Sequence, residues 1–166
     1  MRVYLSLGSN LGDRVSNIRQ AIEFLRNAGC EIRRVSSFYR TEPVDVHDQP
    51  WFVNCVAEAD TGLSPRALLH TALAYESLIG RRRTLPKGPR PIDIDVLLYG
   101  DLIVKLPALQ IPHPRMAERR FVLIPFKEIA PEVEHPVTHK TVSKMLRETA
   151  DASKVVKLKK EMTNDE

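Results

Sequence analysis

Apolar residues recur at helical spacing in two stretches of the chain. Asp13 is a suitable N-cap for the first, and we predict a helix over 14–28. Its apolar positions are Val15, Ile18, Ala21, Ile22 and Leu25. In the second stretch, Ser64 as N-cap and Pro65 at the first helical position predict a helix that reaches Ile79.

Other stretches are rich in aliphatic, β-branched and aromatic residues and predict strands. The four clearest cover residues 3–7, 31–39, 51–59 and 92–99. With the two helices they follow the order βαββαβ, which is typical of a ferredoxin-like α+β core with an antiparallel sheet. Weaker patterns predict strands at 102–104 and 154–158 and short helices near 117–128 and 142–149. We expect these two helices to cover the second face of the sheet.

Length and composition limit the class of protein. The 166 residues are 43% hydrophobic and 28% charged, which is typical of one globular domain. We place that domain at 1–160, before a polar tail at 161–166. No apolar run approaches the roughly 20 residues that cross a bilayer, and the first residues do not resemble a signal peptide. We therefore expect a cytoplasmic protein.

Charge and cysteine content limit which ligands and which metal sites we expect. The net charge of +4 favours an anionic ligand without choosing among nucleotide, phosphate and RNA. Cys30 and Cys55 are isolated, so we expect reduced thiols and no cysteine-based zinc site.

The strongest chemical signal is a pair of aspartates that follows a basic loop. Side chains alternate across a strand, so Asp93 and Asp95 lie on one face, about 6–7 Å apart at their roots. Hard oxygen ligands suit Mg²⁺, which takes its remaining ligands from water and phosphate. The loop at 81–91 contributes Arg81, Arg82, Arg83, Lys87 and Arg90, which provide positive charge for a polyphosphate beside the metal. The alternative is that both aspartates line the solvated face of an edge strand.

A second basic cluster surrounds His113, which lies between Pro112 and Pro114. Its imidazole is a candidate phosphate ligand, while a solvated basic turn is the alternative for the arginines nearby. The chain contains neither GxxxxGK[ST] nor GxGxxG, so neither a P-loop nor a Rossmann-type nucleotide site is predicted. Turn chemistry alone explains the segment at 8–10.

Seven short segments occur in a fixed order along nearly the whole chain. They are YLSLGSN at 4–10, SSFYRTEP at 36–43, DQPWFVN at 48–54, GPRPIDID at 88–95, IPHP at 111–114, RRF at 119–121 and EIAP at 128–131. This set resembles the 6-hydroxymethyl-7,8-dihydropterin pyrophosphokinase family of folate synthesis. The resemblance implies a three-layer α/β/α form of the core. It also implies transfer of diphosphate from ATP to the pterin hydroxymethyl group, with AMP as the second product.

The resemblance also implies residue roles in the handling of ATP. Asp93 and Asp95 would hold two Mg²⁺ ions that bridge the phosphates of the co-substrate ATP. The implied catalytic residues are Arg81, Arg90 and Asp95. The implied ATP-binding residues are Glu76, Arg81, Arg90, Val96, His113 and Arg119. No residue is assigned as general base, because a metal-bound carboxylate is a poor base.

A second set of residues is implied for the pterin. It comprises Thr41, Pro43, Val44, Phe52, Asn54 and Phe121. The rings of Phe52 and Phe121 would hold the flat heterocycle, and Asn54 would bind its polar edge. Judged from the residues alone, ordinary core packing is the more common explanation for the two phenylalanines.

Two other functions fit parts of the pattern. A basic ferredoxin-like domain suits an RNA-binding module, although the aromatic RNP signature is missing from both central strand candidates. The paired carboxylates also suit a metal-dependent phosphodiesterase. Given the resemblance, we expect ATP and the hydroxymethyl-dihydropterin as small-molecule partners, no nucleic-acid or membrane partner, and a monomer.

Overall fold

The computed structural model describes residues 1–44, 48–80 and 89–159. Its strands are β1 (Arg2–Ser9), β2 (Cys30–Val35), β3 (Tyr39–Thr41), β4 (Phe52–Thr61), β5 (Asp93–Tyr99), β6 (Val104–Leu106), β7 (Leu109–Ile111) and β8 (Val155–Lys157). Its helices are α1 (Arg14–Asn27), α2 (Pro65–Ile79), α3 (Arg120–Ile129) and α4 (Val142–Glu148). A 3₁₀ turn at Met116–Glu118 precedes α3.

Six strands of the described residues form one antiparallel sheet. The order is β5-β1-β4-β3-β8, and β2 pairs with the second half of β4 beside β3. The two central strands, β1 and β4, pair over eight residues from Arg2↔Asp60 to Ser9↔Val53. This arrangement of βαββαβ elements confirms the predicted ferredoxin-like core. β6 and β7 form a separate antiparallel hairpin.

The sheet separates two hydrophobic cores. On one face, Leu5 packs with Ile18 of α1 and Leu68 of α2. On the other face, Tyr4 packs with Phe126 of α3, with ring centroids 4.8 Å apart. Successive residues of β1 thus face opposite helical layers, as the pleat of a strand requires. The predicted three-layer α/β/α form is confirmed.

The helix starts follow the predicted capping chemistry. The Ser16 backbone N–H donates to the Asp13 carboxylate at 3.1 Å, and the Ala67 N–H donates to Ser64 Oγ at 3.1 Å. These bonds satisfy N–H groups that have no partner within the first helical turn. The first helix ends one residue earlier than predicted, and Gly29 follows with a φ of 114°.

The stretch predicted as one strand at 31–39 forms two strands instead. Ser36 marks the break between β2 and β3: its backbone N–H donates to Val56 O at 2.9 Å, while the Val56 N–H donates to Ser36 Oγ at 3.0 Å. One side chain therefore replaces a rung of the ladder, which lets β2 and β3 pair with different parts of β4.

Other boundaries also differ from the predictions by one or more residues. β1 continues to Ser9, so Gly8 lies inside the strand rather than in the turn. The hairpin of β6 and β7 replaces the short strand predicted at 102–104. Because Arg119 has an extended backbone, with φ of −122°, α3 starts after it instead of near residue 117.

An ionic network joins β1, β2 and β4 at the end of β4. The Tyr4 hydroxyl donates to the buried Glu58 carboxylate at 2.6 Å. Asp60 accepts from Arg2 Nε at 2.7 Å and from Arg33 Nε at 2.8 Å. These hydrogen bonds, the one from Arg2 first, lower the pKa of Asp60 to about 2.

Both cysteines are free thiols in the interior. Burial raises the pKa of Cys55 far above its usual range, and burial also raises the pKa of Cys30. Within the described ranges, no helix has the length and apolar character to cross a membrane.

Candidate functional site

Polar residues replace apolar ones near one end of the sheet, on the face that α3 covers. Gly8 of β1 lies opposite Asn54 of β4 on one side and Asp93 of β5 on the other. Two residues earlier in β1, Ser6 lies opposite Asp95. Since side chains alternate, these positions share the face that buries Tyr4 further along the strand.

A cleft opens between this end of the sheet and the start of α3. Its walls enclose about 560 Å³ of space, open mouth included. All six residues predicted to bind the pterin line it: Thr41, Pro43, Val44, Phe52, Asn54 and Phe121. Four residues predicted to bind metal or phosphate line it as well: Arg90, Asp93, Asp95 and Arg119. The fold therefore brings the predicted pterin set and these four members of the predicted metal and ATP set into one cleft.

The amide of Asn54 lies over the backbone of Gly8. A Cβ at position 8 would be 2.3 Å from Asn54 Oδ1, so only glycine leaves room for this side chain. Asn54 Nδ2 donates to Thr41 Oγ1 at 2.6 Å. Both Asn54 and Thr41 are buried, which fixes the amide against the floor of the cleft.

Carboxylates and guanidinium groups meet at the β5 side of the cleft. Arg90 Nε forms an ion pair with Asp93 Oδ2 at 3.0 Å. Burial raises the pKa of Asp95, although the positive charges of Arg119 and Arg90 act in the opposite direction. A carboxylate that is costly to ionise gains from an added cation, so this pair of aspartates suits a divalent metal ion.

Each aromatic wall of the cleft is accompanied by an arginine. The Arg90 guanidinium carbon is 5.3 Å from the centroid of the Phe52 ring. The corresponding distance from Arg119 to the Phe121 ring is 5.5 Å. Both distances allow cation–π attraction, which holds each guanidinium group beside an aromatic wall of the cleft.

Asn10 joins three segments that surround the cleft. Its Nδ2 donates to Gln49 Oε1 at 2.8 Å and to Pro50 O at 3.0 Å. Its Oδ1 accepts from the Arg90 N–H at 2.8 Å, and its own N–H donates to Arg90 O at 3.1 Å. A buried amide with this many partners holds the end of β1, the segment before β4 and residue 90 together.

Turn chemistry alone therefore does not account for the segment at 8–10. Gly8 provides room for Asn54, and Asn10 connects the surrounding segments. The sequence does contain one indication of this role: Gly8 lies inside an apolar strand pattern, and a glycine there often marks the close approach of another group. Glu42 and Gln49, which also line the cleft, carry no comparable signal in the sequence.

Glu76 of α2 supports β5 from outside the cleft. Its Oε2 accepts from the Ile94 backbone N–H at 2.6 Å. Ile94 lies between the two aspartates, so this bond helps to fix the strand that presents them. Direct contact between Glu76 and ATP stays a prediction.

His113 and Val96 are placed differently from the cleft residues. Burial lowers the pKa of His113, and the positive charges of Arg119 and Arg115 lower it further. His113 lines a neighbouring groove beside β6 and β7. Val96 is buried in the core on the α1 and α2 side, so its side chain faces away from the cleft. Roles for His113 and Val96 in ATP binding stay predictions.

Arg81, which is predicted to contact phosphate, lies outside the described residues, as does most of the basic loop at 81–91. Its role stays a prediction. Among the residues that the structure describes, no three His, Cys, Asp or Glu side chains are grouped to hold a metal ion. Any metal at the two aspartates would thus need ligands from water or substrate.

Similar proteins identify the family of the chain. A family model described as 7,8-dihydro-6-hydroxymethylpterin-pyrophosphokinase (HPPK) matches residues 4–131. A Bacillus subtilis protein named 2-amino-4-hydroxy-6-hydroxymethyldihydropteridine pyrophosphokinase is 43% identical over 136 residues, which cover 81% of each chain. The folic acid synthesis protein fol1 of Pneumocystis carinii is 40% identical over 149 residues. That match covers 90% of this chain and 20% of the relative, so the chain spans about a fifth of the longer protein.

A solved structure shows the same fold. The Plasmodium falciparum HPPK-DHPS wild type with SDX-DHP has a TM-score of 0.69 and 17% identity, with coverage of 88% of this chain and 43% of that one. At this identity the likeness concerns the fold alone. The match to the family model and the identity to the bacterial relative go further, and the chain belongs to the 7,8-dihydro-6-hydroxymethylpterin-pyrophosphokinase family.

Proposed function

We propose that this chain transfers diphosphate from ATP to 6-hydroxymethyl-7,8-dihydropterin, with release of AMP, and that the transfer depends on Mg²⁺. The observation that carries the proposal is the composition of one cleft. Two phenylalanines and a buried amide lie next to paired carboxylates and two arginines. Family membership supports the same reaction.

The pterin would lie between Phe52 and Phe121. Aromatic faces hold a flat heterocycle well, while directional hydrogen bonds at its edge give specificity. Asn54 Nδ2 is already bonded to Thr41, so Asn54 Oδ1 would accept from the amino and ring N–H groups of the pterin. In this binding mode the two ends of the Asn54 amide have different partners, so the amide must keep one orientation. The hydrogen bond to Thr41 and the close packing against Gly8 hold it there.

The polyphosphate of ATP would lie across the β5 side of the cleft. Asp93 and Asp95 would hold Mg²⁺, with two ions as the proposed number. Two carboxylates fit this ion, since Mg²⁺ usually binds few protein ligands and takes the others from water and phosphate. Bound there, Mg²⁺ would neutralise phosphate charge and orient the polyphosphate.

The proposed chemical step is an in-line displacement. The pterin hydroxymethyl oxygen forms a bond to the β-phosphorus, the bond from that phosphorus to the oxygen bridging the α-phosphorus breaks, and AMP leaves with this oxygen. The hydroxyl proton passes to solvent. No side chain is proposed as general base. Arg90 and Arg119 stabilise the negative charge that grows on the phosphates and the leaving oxygen. Arg81 is a further candidate for this role.

Product analysis tests the proposal. The protein is mixed with ATP, Mg²⁺ and 6-hydroxymethyl-7,8-dihydropterin, and nucleotides and pterins are separated by chromatography. We expect AMP and pterin diphosphate in equal amounts, and neither product after chelation of the metal. Formation of ADP, or hydrolysis of ATP without any pterin, would contradict diphosphate transfer and favour phosphate transfer or a phosphodiesterase.

A further inference from the structure

The C-terminal segment at 149–158 runs beside the proposed pterin cleft, although the family match ends at residue 131. It contains β8, which extends the sheet by pairing Val155 with Thr41 and Lys157 with Tyr39. At its end, the Leu158 N–H donates to Phe38 O at 2.9 Å. This segment is therefore anchored along the strand that leads into the cleft.

Lys154 of the C-terminal segment forms two hydrogen bonds with Glu42, a residue in the wall of the cleft. The Glu42 N–H donates to Lys154 O at 3.1 Å, and the Lys154 N–H donates to Glu42 Oε1 at 2.9 Å. Glu42 lies in the cleft lining between Thr41 and Pro43. These two bonds fix the position of this wall relative to residue 154.

Another part of the C-terminal segment caps α3. Arg119, at the N-cap position, makes no capping bond with its own side chain. Instead, the Arg120 N–H donates to Asp151 Oδ2 at 2.8 Å, and Arg120 Nε donates to Ser153 O at 3.0 Å. A carboxylate at a helix N-terminus is favoured by the unpaired N–H groups and by the helix dipole. Asp151 therefore supplies from a distance the cap that α3 lacks.

The other oxygen of Asp151 is held within the segment itself. Asp151 Oδ1 accepts from the Ser153 N–H at 2.9 Å and from the Ser153 hydroxyl. Burial raises the pKa of Asp151, but the bonds from Ser153 and Arg120 outweigh it, and the net pKa is lowered. The carboxylate thus stays ionised at neutral pH and oriented toward α3.

The capped residue lies between two residues of the cleft. Arg119 and Phe121 both line it, one on each side of Arg120 in the chain. We infer that Asp151 is a positioning residue for the cleft: it fixes the first turn of α3, and thereby Phe121, against the wall that Glu42 belongs to. This inference rests on the proposed function, because it assigns a role in pterin binding.

Pterin affinity in matched variants tests the role of Asp151. Titration with 6-hydroxymethylpterin, followed by ligand fluorescence, gives the dissociation constant. From the strength of N-caps, we expect Asp151→Ala to weaken binding roughly 5- to 20-fold. Asp151→Asn keeps an acceptor oxygen and should stay within about threefold of wild type. Ser153→Ala, which leaves the cap in place but less well oriented, should give a smaller loss than Asp151→Ala.

Ser64→Ala is the control, since it removes the same kind of cap from α2 on the opposite face of the sheet. It should lower stability without changing pterin affinity. Hydrogen exchange provides a readout independent of the ligand: amides at 120–123 should exchange faster in Asp151→Ala and at the wild-type rate in Ser64→Ala. Wild-type affinity in a folded Asp151→Ala variant, or an equal loss in Asp151→Asn, would overturn the inference. Wild-type protein that binds no pterin would instead contradict the proposed function.

Discussion

Replacing Gly8 with alanine tests the fit between β1 and the amide of Asn54. The new Cβ would lie 2.3 Å from Asn54 Oδ1, 3.3 Å from Asn54 Cγ and 3.6 Å from Phe52 Cδ2. The first contact is far shorter than van der Waals separation, so the amide has to move. The amide has little room to move, because Asn54 is buried and its Nδ2 is hydrogen-bonded to Thr41 Oγ1 at 2.6 Å.

The expected cost of Gly8→Ala follows from three terms. Overpacking costs about 1–3 kcal/mol, and loss of the Asn54–Thr41 hydrogen bond costs about 1 kcal/mol. The lower backbone entropy that alanine loses on folding, compared with glycine, offsets about 0.5–1 kcal/mol of this destabilisation. The net destabilisation of about 2 kcal/mol lowers Tm by about 4–8 °C in a domain of this size. Because the displaced amide would no longer meet the pterin edge in the proposed binding mode, pterin affinity should fall roughly 10- to 100-fold.

Two measurements check this prediction: thermal unfolding followed by circular dichroism, and titration with 6-hydroxymethylpterin. Gly62→Ala is the matched control, since apart from its two chain neighbours no described residue has an atom within 4 Å of a Cβ built at that position. This control should keep both Tm and affinity. Adding Asn54→Ala to Gly8→Ala should recover part of the lost stability, since the clash is gone, without recovering affinity. A Gly8→Ala protein with wild-type Tm and affinity would refute the reasoning.

Three further predictions concern charge and thiols. Asp95→Asn should slow AMP formation by roughly 100-fold or more in steady-state assays, since it removes a charge that is proposed to bind the metal; a rate within threefold of wild type would contradict this. Asp60 has a folded pKa of about 2, below its usual value, so it stabilises the fold above about pH 4 and this contribution is lost as pH falls toward 2. Urea unfolding should therefore show a stability difference between wild type and Asp60→Asn at pH 7 that shrinks at pH 3, whereas a constant difference would argue against the ionic network. Cys30 and Cys55 should react with a thiol reagent only after unfolding, and rapid labelling of the native protein would contradict their burial.

The sequence predicts the main elements well where the signal is local. Apolar spacing predicts both long helices, as do the caps at Asp13 and Ser64, which act within three residues. The split between β2 and β3 depends instead on Ser36, whose partner Val56 is 20 residues away. No pattern within a short window reports such a bond, so the sequence predicts one strand where two exist.

The residues of the candidate site also differ in whether a local sequence pattern can predict their positions. Strand alternation alone places Asp93 and Asp95 on one face, and that prediction needs no knowledge of neighbouring strands. Asn10 is different, since its partners lie 39 to 80 residues away. The cap that Asp151 gives to Arg120 also spans 31 residues. Contacts of this kind become visible only once strand register and helix packing are known.

The most direct test of diphosphate transfer uses ATP labelled with ³²P at the β-phosphorus. Under single-turnover conditions with Mg²⁺ and 6-hydroxymethyl-7,8-dihydropterin, the label should appear in the pterin product, with one unlabelled AMP formed for each labelled pterin. Gly8→Ala should slow this transfer, while Gly62→Ala should leave it unchanged. If the label appears in ADP, pyrophosphate or orthophosphate while the pterin stays unlabelled, the proposed function is wrong.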